Sequence, residues 1–237
     1  MKQRLLTSSE AEQYKILADN YHPNGQVVYD FARSNFGVIA GPTGAGKDTL
    51  REKLVENKKF IKILSTTSRP MRDGEKDGVE YHFHDLEFFD QGLEDRRFLQ
   101  MALVHNQQLS ALDFADVQSL NEAQIGLAIL VVQTEIGLRK LNSNMKTIFV
   151  VPPSLDILKQ RIQNERIMDQ DEMNRRMQAA KTELSIADAQ ESYFCVINDD
   201  IIRASNLALA YFESGVKDAS EDSNAREIIK QLLKELE

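Results

Sequence analysis

An α/β fold around a parallel sheet, layered α/β/α, is the expectation for this chain, and three observations lead to it. Short apolar, β-branched runs at 36–40, 60–64, 129–132 and 147–151 alternate with longer helical stretches. Strands joined by helical crossovers lie parallel, with helices on both faces. Ile129 to Val132 is a continuous apolar run, as expected of a strand buried on both faces. The third observation is the turn between Phe36–Ala40 and the helical Leu50–Leu54, which reads Gly41-Pro42-Thr43-Gly44-Ala45-Gly46-Lys47. Strand, glycine-rich loop, helix is the context in which G-x-x-x-x-G-K binds phosphate, and in such sheets ligands sit at the carboxyl edge.

Composition bounds the rest. The 237 residues suffice for one sizeable α/β domain with small appendages. Hydrophobic content of 42% and charged content of 28% fit a soluble globular protein. No run approaches the roughly 18 apolar residues of a membrane span, and the first residues lack a signal-peptide apolar region, so the cytoplasm is the expected location. Cys195 is the one cysteine, which excludes an internal disulfide and reads as a small core residue. A net charge of −8 argues against broad nucleic-acid binding, so an anionic ligand needs a local basic cluster.

Residues 1–34 read as an N-terminal helical extension. Thr7, Ser8 or Ser9 is placed to cap a helix through Leu17, His22-Pro23-Asn24-Gly25 breaks it, and Gln26 to Ala32 resumes a helix. His22, beside the proline turn, reads as a surface residue. The extension packs on the main domain or on a second subunit, and the sequence does not choose.

Each loop residue has a mechanical reason. Gly41, Gly44 and Gly46 permit φ > 0 and close approach to a phosphate. Pro42, Thr43 and Ala45 complete a ring whose N–H groups, with the helix N-terminus behind them, form a concave positive surface. Lys47 supplies a mobile charge for β- and γ-phosphates. Where the motif has Ser or Thr after the lysine, this chain has Asp48, with Thr49 next. Both offer the oxygen ligands that Mg²⁺ prefers, and Asp48 also sets negative charge near the phosphates.

The second informative stretch runs from Ser65 to Phe83, STTSRPMRDGEKDGVEYHF. Arg69 and Arg72 flank a proline among hydroxyl residues, ahead of two glycines and Tyr81. Arginine forks bind phosphate bidentately, and hydroxyls add neutral donors. Taken alone, the stretch reads equally as a solvated, turn-rich hairpin.

Together the two stretches resemble the guanylate kinase family, whose loop reads G-P-S-G-x-G-K and whose acceptor segment reads S-x-T-T-R-x-P-R-x-G-E-x-x-G-x-D-Y-x-F. Ser65, Thr67, Arg69, Arg72, Gly74, Glu75, Gly78, Tyr81 and Phe83 match in register. The resemblance spans roughly residues 36–212. It implies a P-loop NTPase core at 35–64, 115–158 and 185–213, within a domain of residues 35–213. It further implies a small nucleotide-monophosphate-binding subdomain at 65–114 and a helical lid at 159–184. ATP is the implied co-substrate and Mg²⁺ the implied cofactor, with small-molecule nucleotides as partners. Ser65, Arg69, Arg72 and Tyr81 stand where the family holds the acceptor phosphate. Arg161 and Arg176 stand on lid arginines that meet the transferring phosphoryl group, and Asn198 stands where an asparagine lies near adenine. Asn198-Asp199-Asp200 after a strand is equally a good turn or helix cap. Residues 214–224 read as a linker and Ala225–Glu237 as an amphipathic helix whose apolar stripe the domain or a second copy must cover, which leaves a homodimer through the terminal helices open.

Departures from the family pattern concentrate on the acceptor base. The guanine-reading acidic positions hold Gln100, which keeps one acceptor, and Val131, which keeps none. The family's G-N-Y-Y-G-T/S segment is Asn106-Gln107-Gln108-Leu109-Ser110-Ala111, and one lid arginine position holds Glu165 with Arg166 beside it. The reading is therefore a kinase passing the γ-phosphoryl group of ATP to GMP or dGMP, with Lys47, Arg72, Arg161 and Arg176 catalytic. A different small phosphorylated acceptor is the variant that the altered base positions motivate. A non-catalytic nucleotide-binding or protein-interaction domain is the alternative, which the retained Gly46-Lys47 disfavours.

Overall fold

The structure is a computed structural model that describes residues 3–104, 106–165 and 168–237. Arg166 therefore lies outside the described residues. Along the chain come α1 (Ser8–Asp19), α2 (Gly25–Phe31), β1 (Phe36–Ala40), α3 (Lys47–Val55), β2 (Phe60–Ile63), β3 (Thr66–Thr67), β4 (His82–Phe83) and α4 (Leu86–Glu94). Then follow β5 (Phe98–Val104), β6 (Gln108–Asp113), α5 (Phe114–Gln118), β7 (Ile125–Ile129), α6 (Val132–Arg139) and β8 (Lys146–Val151). The chain closes with α7 (Leu155–Glu165), α8 (Gln170–Ala189), β9 (Phe194–Ile197), α9 (Ile201–Ser214) and α10 (Ala219–Glu235). These elements form two compact units.

One unit holds Phe36–Lys62, Ala123–Ile136 and Met145–Glu237. Its five-stranded sheet runs β2-β7-β1-β8-β9. β1 lies parallel to both β7 and β8, with Ile39 opposite Ile129 and Ile148, and β8 lies parallel to β9. All five β1 residues are buried, so the loop that leaves Ala40 starts from a strand fixed on both sides. Leu50 and Leu54 of α3 enter the same apolar cluster as Phe194, Val196, Ala208 and Phe212. Burying those side chains is the main stabilisation of this layer, at roughly 1.5–3 kcal/mol for each large one.

Two expectations need correction here. The strand predicted at Ile129–Val132 is β7, four residues earlier, and Val131 is 54% exposed just before α6 begins at Val132. An apolar run does not mark where a strand ends and the next helix starts. The stretch 214–224 is not all linker: α10 begins at Ala219, where the Asp218 side chain accepts the Glu221 N–H. Its small polar residues are N-terminal helix chemistry, with Glu221 and Asp222 in the positive first turn. The apolar stripe is covered within this chain, since Ala225, Ile229 and Leu232 are buried and α10 packs on β9 and α8.

α10 also closes the sheet. β9 is an edge strand, and such an edge leaves a row of unpaired N–H groups. The Asp222 carboxylate accepts the Cys195 N–H at 2.8 Å and the Glu221 carboxylate the Ile197 N–H at 2.7 Å.

The other unit holds the chain up to Asn35 with Ile63–Glu122 and Gly137–Asn144. Its sheet runs β4-β3-β6-β5, with β5 and β6 an antiparallel hairpin. The extension folds into this unit. Thr7 and Glu10 form a reciprocal capping box on α1, and Asn24 caps α2. Leu6, Ala11 and Tyr14 join Phe89, Phe98, Met101, Leu109 and Ala111 in one apolar cluster. The Tyr14 hydroxyl donates to Asp90 at 2.6 Å and the Tyr21 hydroxyl to the Phe98 carbonyl at 2.8 Å.

Candidate active site

The phosphate loop is built from β1, α3 and the backbone between them. Gly41, Gly44 and Gly46 all have positive φ. Gly46, at φ 95°, caps α3, and a Cβ there would lie 2.1 Å from the Asn198 amide nitrogen. At Gly41 a Cβ would meet the Val150 carbonyl at 2.5 Å. Neither position tolerates a side chain, so the loop backbone is free to turn its N–H groups inward.

The Lys47 ammonium donates to the Gly41 carbonyl at 2.6 Å and to the Pro42 carbonyl at 2.9 Å. It thus folds back over the loop, in the position of a cation over an anion cradle. Two side chains brace the far side of the loop. The Asn198 amide donates to the Ala45 carbonyl at 2.8 Å, and Arg161 donates to the same carbonyl at 3.3 Å and to the Asn198 carbonyl at 3.0 Å. Asn198 is buried at the end of β9, so its side chain reads here as a support of the loop.

Asp48 and Thr49 are exposed on the first turn of α3. One Asp48 oxygen accepts from the buried Arg51 guanidinium at 3.2 Å. Among the described residues no cluster of three or more His, Cys, Asp or Glu side chains forms a metal cage. Two exposed oxygens beside a phosphate cradle nevertheless fit a cation that keeps several waters and takes one or two protein ligands together with phosphates.

Arg176 lies on α8, its Nε donating to Glu172 one turn earlier at 3.2 Å, whereas Arg175 is exposed. Glu183, on the same helix, was not singled out by the sequence. One of its carboxylate oxygens is buried without a hydrogen-bond partner. Burial pushes its carboxyl up to about 6, with the Lys47 charge pulling the other way. A glutamate among helix charges carries no sequence signal of that kind. Glu165 lies on α7.

The acceptor stretch is organised around Arg69, which is 6% exposed. Its two terminal nitrogens donate to the two Glu75 oxygens, each at 2.6 Å. Its guanidinium lies 5.2 Å from the ring centres of Tyr81 and Phe83. The Arg69 hydrogen bonds hold the Glu75 carboxyl down to about 2, against the opposing effect of burial. Glu75 also accepts the Arg72 N–H at 2.7 Å, which fixes the turn that carries Arg72. The Arg72 side chain is exposed and Tyr81 is 37% exposed, so both are free to meet a ligand. Ser65 is half-buried at the start of β3, its carbonyl accepting the His82 N–H at 3.0 Å. The motif contains Glu75, but only the fold reveals it as the carboxylate that holds the Arg69 guanidinium and the backbone turn at Arg72.

Gln100 is half-buried on β5, opposite Leu112. Val131 belongs to the other unit. Asn106 takes φ 53° in the β5–β6 turn, and Leu109 and Ala111 are fully buried in the cluster that α1 covers. The apolar residues at those two positions thus serve the packing of the extension.

Comparison with known proteins gives the family. The profile of the guanylate kinase family matches residues 33–212. A guanylate kinase of Chlorobium luteolum is 31% identical over 75% of this chain and 91% of its own length. One from Legionella pneumophila is 33% identical over 72% of this chain and 81% of its own. Among solved structures, a guanylate kinase from Anaplasma phagocytophilum superposes with a TM-score of 0.59 at 21% identity, covering 83% of this chain and 93% of that one.

Proposed function

The chain belongs to the guanylate kinase family, and on that premise we propose that it passes the γ-phosphoryl group of ATP to GMP or dGMP, releasing ADP and the nucleoside diphosphate. It is a phosphotransferase. The observation that carries the reading is the glycine–lysine loop itself, with its lysine folded over the cradle and the Ala45 carbonyl braced from behind.

The roles are those the family resemblance implies for these positions. The N–H groups of residues 41–49, Pro42 having none, receive the β- and γ-phosphates of ATP, with Lys47 exchanging the Gly41 and Pro42 carbonyls for phosphate oxygens. Arg69, Arg72, Ser65 and Tyr81 hold the acceptor phosphate, which is already an anion and needs no general base. Arg176 and Arg161 offset the charge that spreads over the transferred group in the transition state. By resemblance Asn198 would also lie near the adenine of ATP, beside its contact with the Ala45 carbonyl. Asp48 and Thr49 would hold Mg²⁺, which neutralises charge on the donor phosphates and orients them. Catalysis is then positioning and charge stabilisation, with no covalent intermediate. Gln100 offers the base one acceptor and is the residue on which guanine selection turns. Nucleotides are the expected small-molecule partners and the cytoplasm the expected location. The net charge of −8 weighs against nucleic acid, and no helix among the described residues is long and apolar enough to cross a membrane.

A coupled assay with ATP·Mg²⁺ and GMP tests this. The wild type turns over, and Lys47→Ala falls by roughly 10²-fold or more in kcat with its melting temperature held. No turnover, or an unaffected Lys47→Ala, returns the chain to the non-catalytic alternative.

A further inference from the structure

We propose that Glu221 of α10 and Arg203 of α9 are positioning residues for the phosphate loop, acting through Asn198. The chain of contacts is continuous within one unit. The Glu221 carboxylate accepts the Ile197 N–H at 2.7 Å with one oxygen and the Arg203 guanidinium at 2.5 Å with the other. Arg203 donates in turn to the Ile197 carbonyl at 2.8 Å and to Asp199 at 2.7 Å. Glu221 and Arg203 therefore fix the two peptide groups that precede Asn198, and Arg203 also ties down the Asp199 side chain that follows it. Asn198 itself donates its backbone N–H to the Val151 carbonyl at 2.9 Å and its side-chain amide to Ala45. Its own carbonyl accepts from Arg161, which holds Ala45 as well.

The arrangement leaves Asn198 little choice of position. Its amide nitrogen occupies the space a Cβ at Gly46 would fill, so a small displacement of the β9 end either collides with the loop or releases the Ala45 carbonyl. A charge-assisted pair is suited to this task, because Glu221 is nearly buried and its Arg203 partner is held at three points. Glu221 lies beyond residue 212, where the family match ends. The C-terminal helix thereby contributes to the donor site without touching it.

The inference rests on the loop being the ATP site, and its test separates the two. Asp222 is the internal control, since it accepts the Cys195 N–H and pairs with Arg226 by the same kind of contact, further back along β9. In nucleotide-free protein, amide hydrogen exchange of residues 41–49 is expected to speed up about fivefold or more in Glu221→Ala and to stay unchanged in Asp222→Ala. The KM for ATP should rise by a similar factor in Glu221→Ala, with the KM for GMP and kcat within about twofold of wild type. Glu221→Gln keeps the Ile197 acceptor, and Arg203→Lys keeps the charge, so both should fall between. They serve as the test if Glu221→Ala does not fold. Equal exchange in the two alanine variants, whether both unchanged or both raised, overturns the proposal. A wild type that binds no ATP would instead sink the kinase reading, with the exchange result still deciding this one.

Discussion

At Glu183 a half-exposed helix position hides a carboxylate oxygen that has no partner. Because burial raises this group from 4.5 to about 6, the folded state binds its proton more tightly than the unfolded chain does. The sign follows from linkage: stability attributable to Glu183 is full below about pH 4.5 and is lost as pH rises through about 6. Glu183→Gln should therefore raise stability at pH 7.5 by about 1–2 kcal/mol and leave it nearly unchanged at pH 4, read by urea titration at both values. Glu75 behaves oppositely. Its carboxyl is held at about 2 by Arg69, so its contribution is present above about pH 4.5 and is lost as pH falls toward 2. Glu75→Gln should weaken acceptor binding through a loosened Arg69, raising the KM for GMP while leaving that for ATP. Equal rises in both would contradict the assignment. Thr66, like Glu183, carries a stranded polar atom, its hydroxyl fully buried and unpartnered on β3. Thr66→Val keeps the shape and removes the stranded polar group, so its melting temperature should match or exceed that of wild type.

At the scale of elements, the strand–loop–helix unit of the donor site was the most legible part of the sequence. β1 begins and ends where its apolar run does, and glycine marks each turn of the loop. The acceptor stretch was legible as a motif, but a motif assigns no partners. That Glu75 orients Arg69 and Arg72 depends on a turn closing, which spacing alone does not display. β7 lies earlier than the apolar run predicts because its alanine and glycine propensities are weak, and its site between β1 and β2 overrides them. α10 was misjudged at its start because Ser, Asp and Asn serve caps and linkers alike. The cap is real by geometry, so Asp218→Ala should cost about 1 kcal/mol in chemical denaturation. An unchanged midpoint would show that tertiary contacts alone hold the helix.

At the scale of the whole molecule, the chain supplements a kinase core with pieces from both ends. The extension fills the apolar face of the β5–β6 hairpin, and α10 closes the β9 edge. Both lie at or beyond the margins of the family match at 33–212, and neither function was visible in composition. Buried Leu109 and Ala111 show how the two kinds of departure connect: their side chains complete the packing of α1. In the unit that carries the Ser65–Phe83 stretch, Arg72 and Tyr81 are exposed, whereas Arg69 is buried against Glu75 and Gln100 is half-buried on β5. Phosphoryl transfer to a guanine nucleotide is the reaction proposed for the Arg69–Arg72–Tyr81 clamp together with the phosphate loop. Its most direct test is the ratio of kcat/KM for GMP to that for AMP with ATP·Mg²⁺ as donor. A ratio of about 10² or more is expected, since AMP leaves the Gln100 acceptor without the donor that guanine offers it. A ratio near one would contradict it.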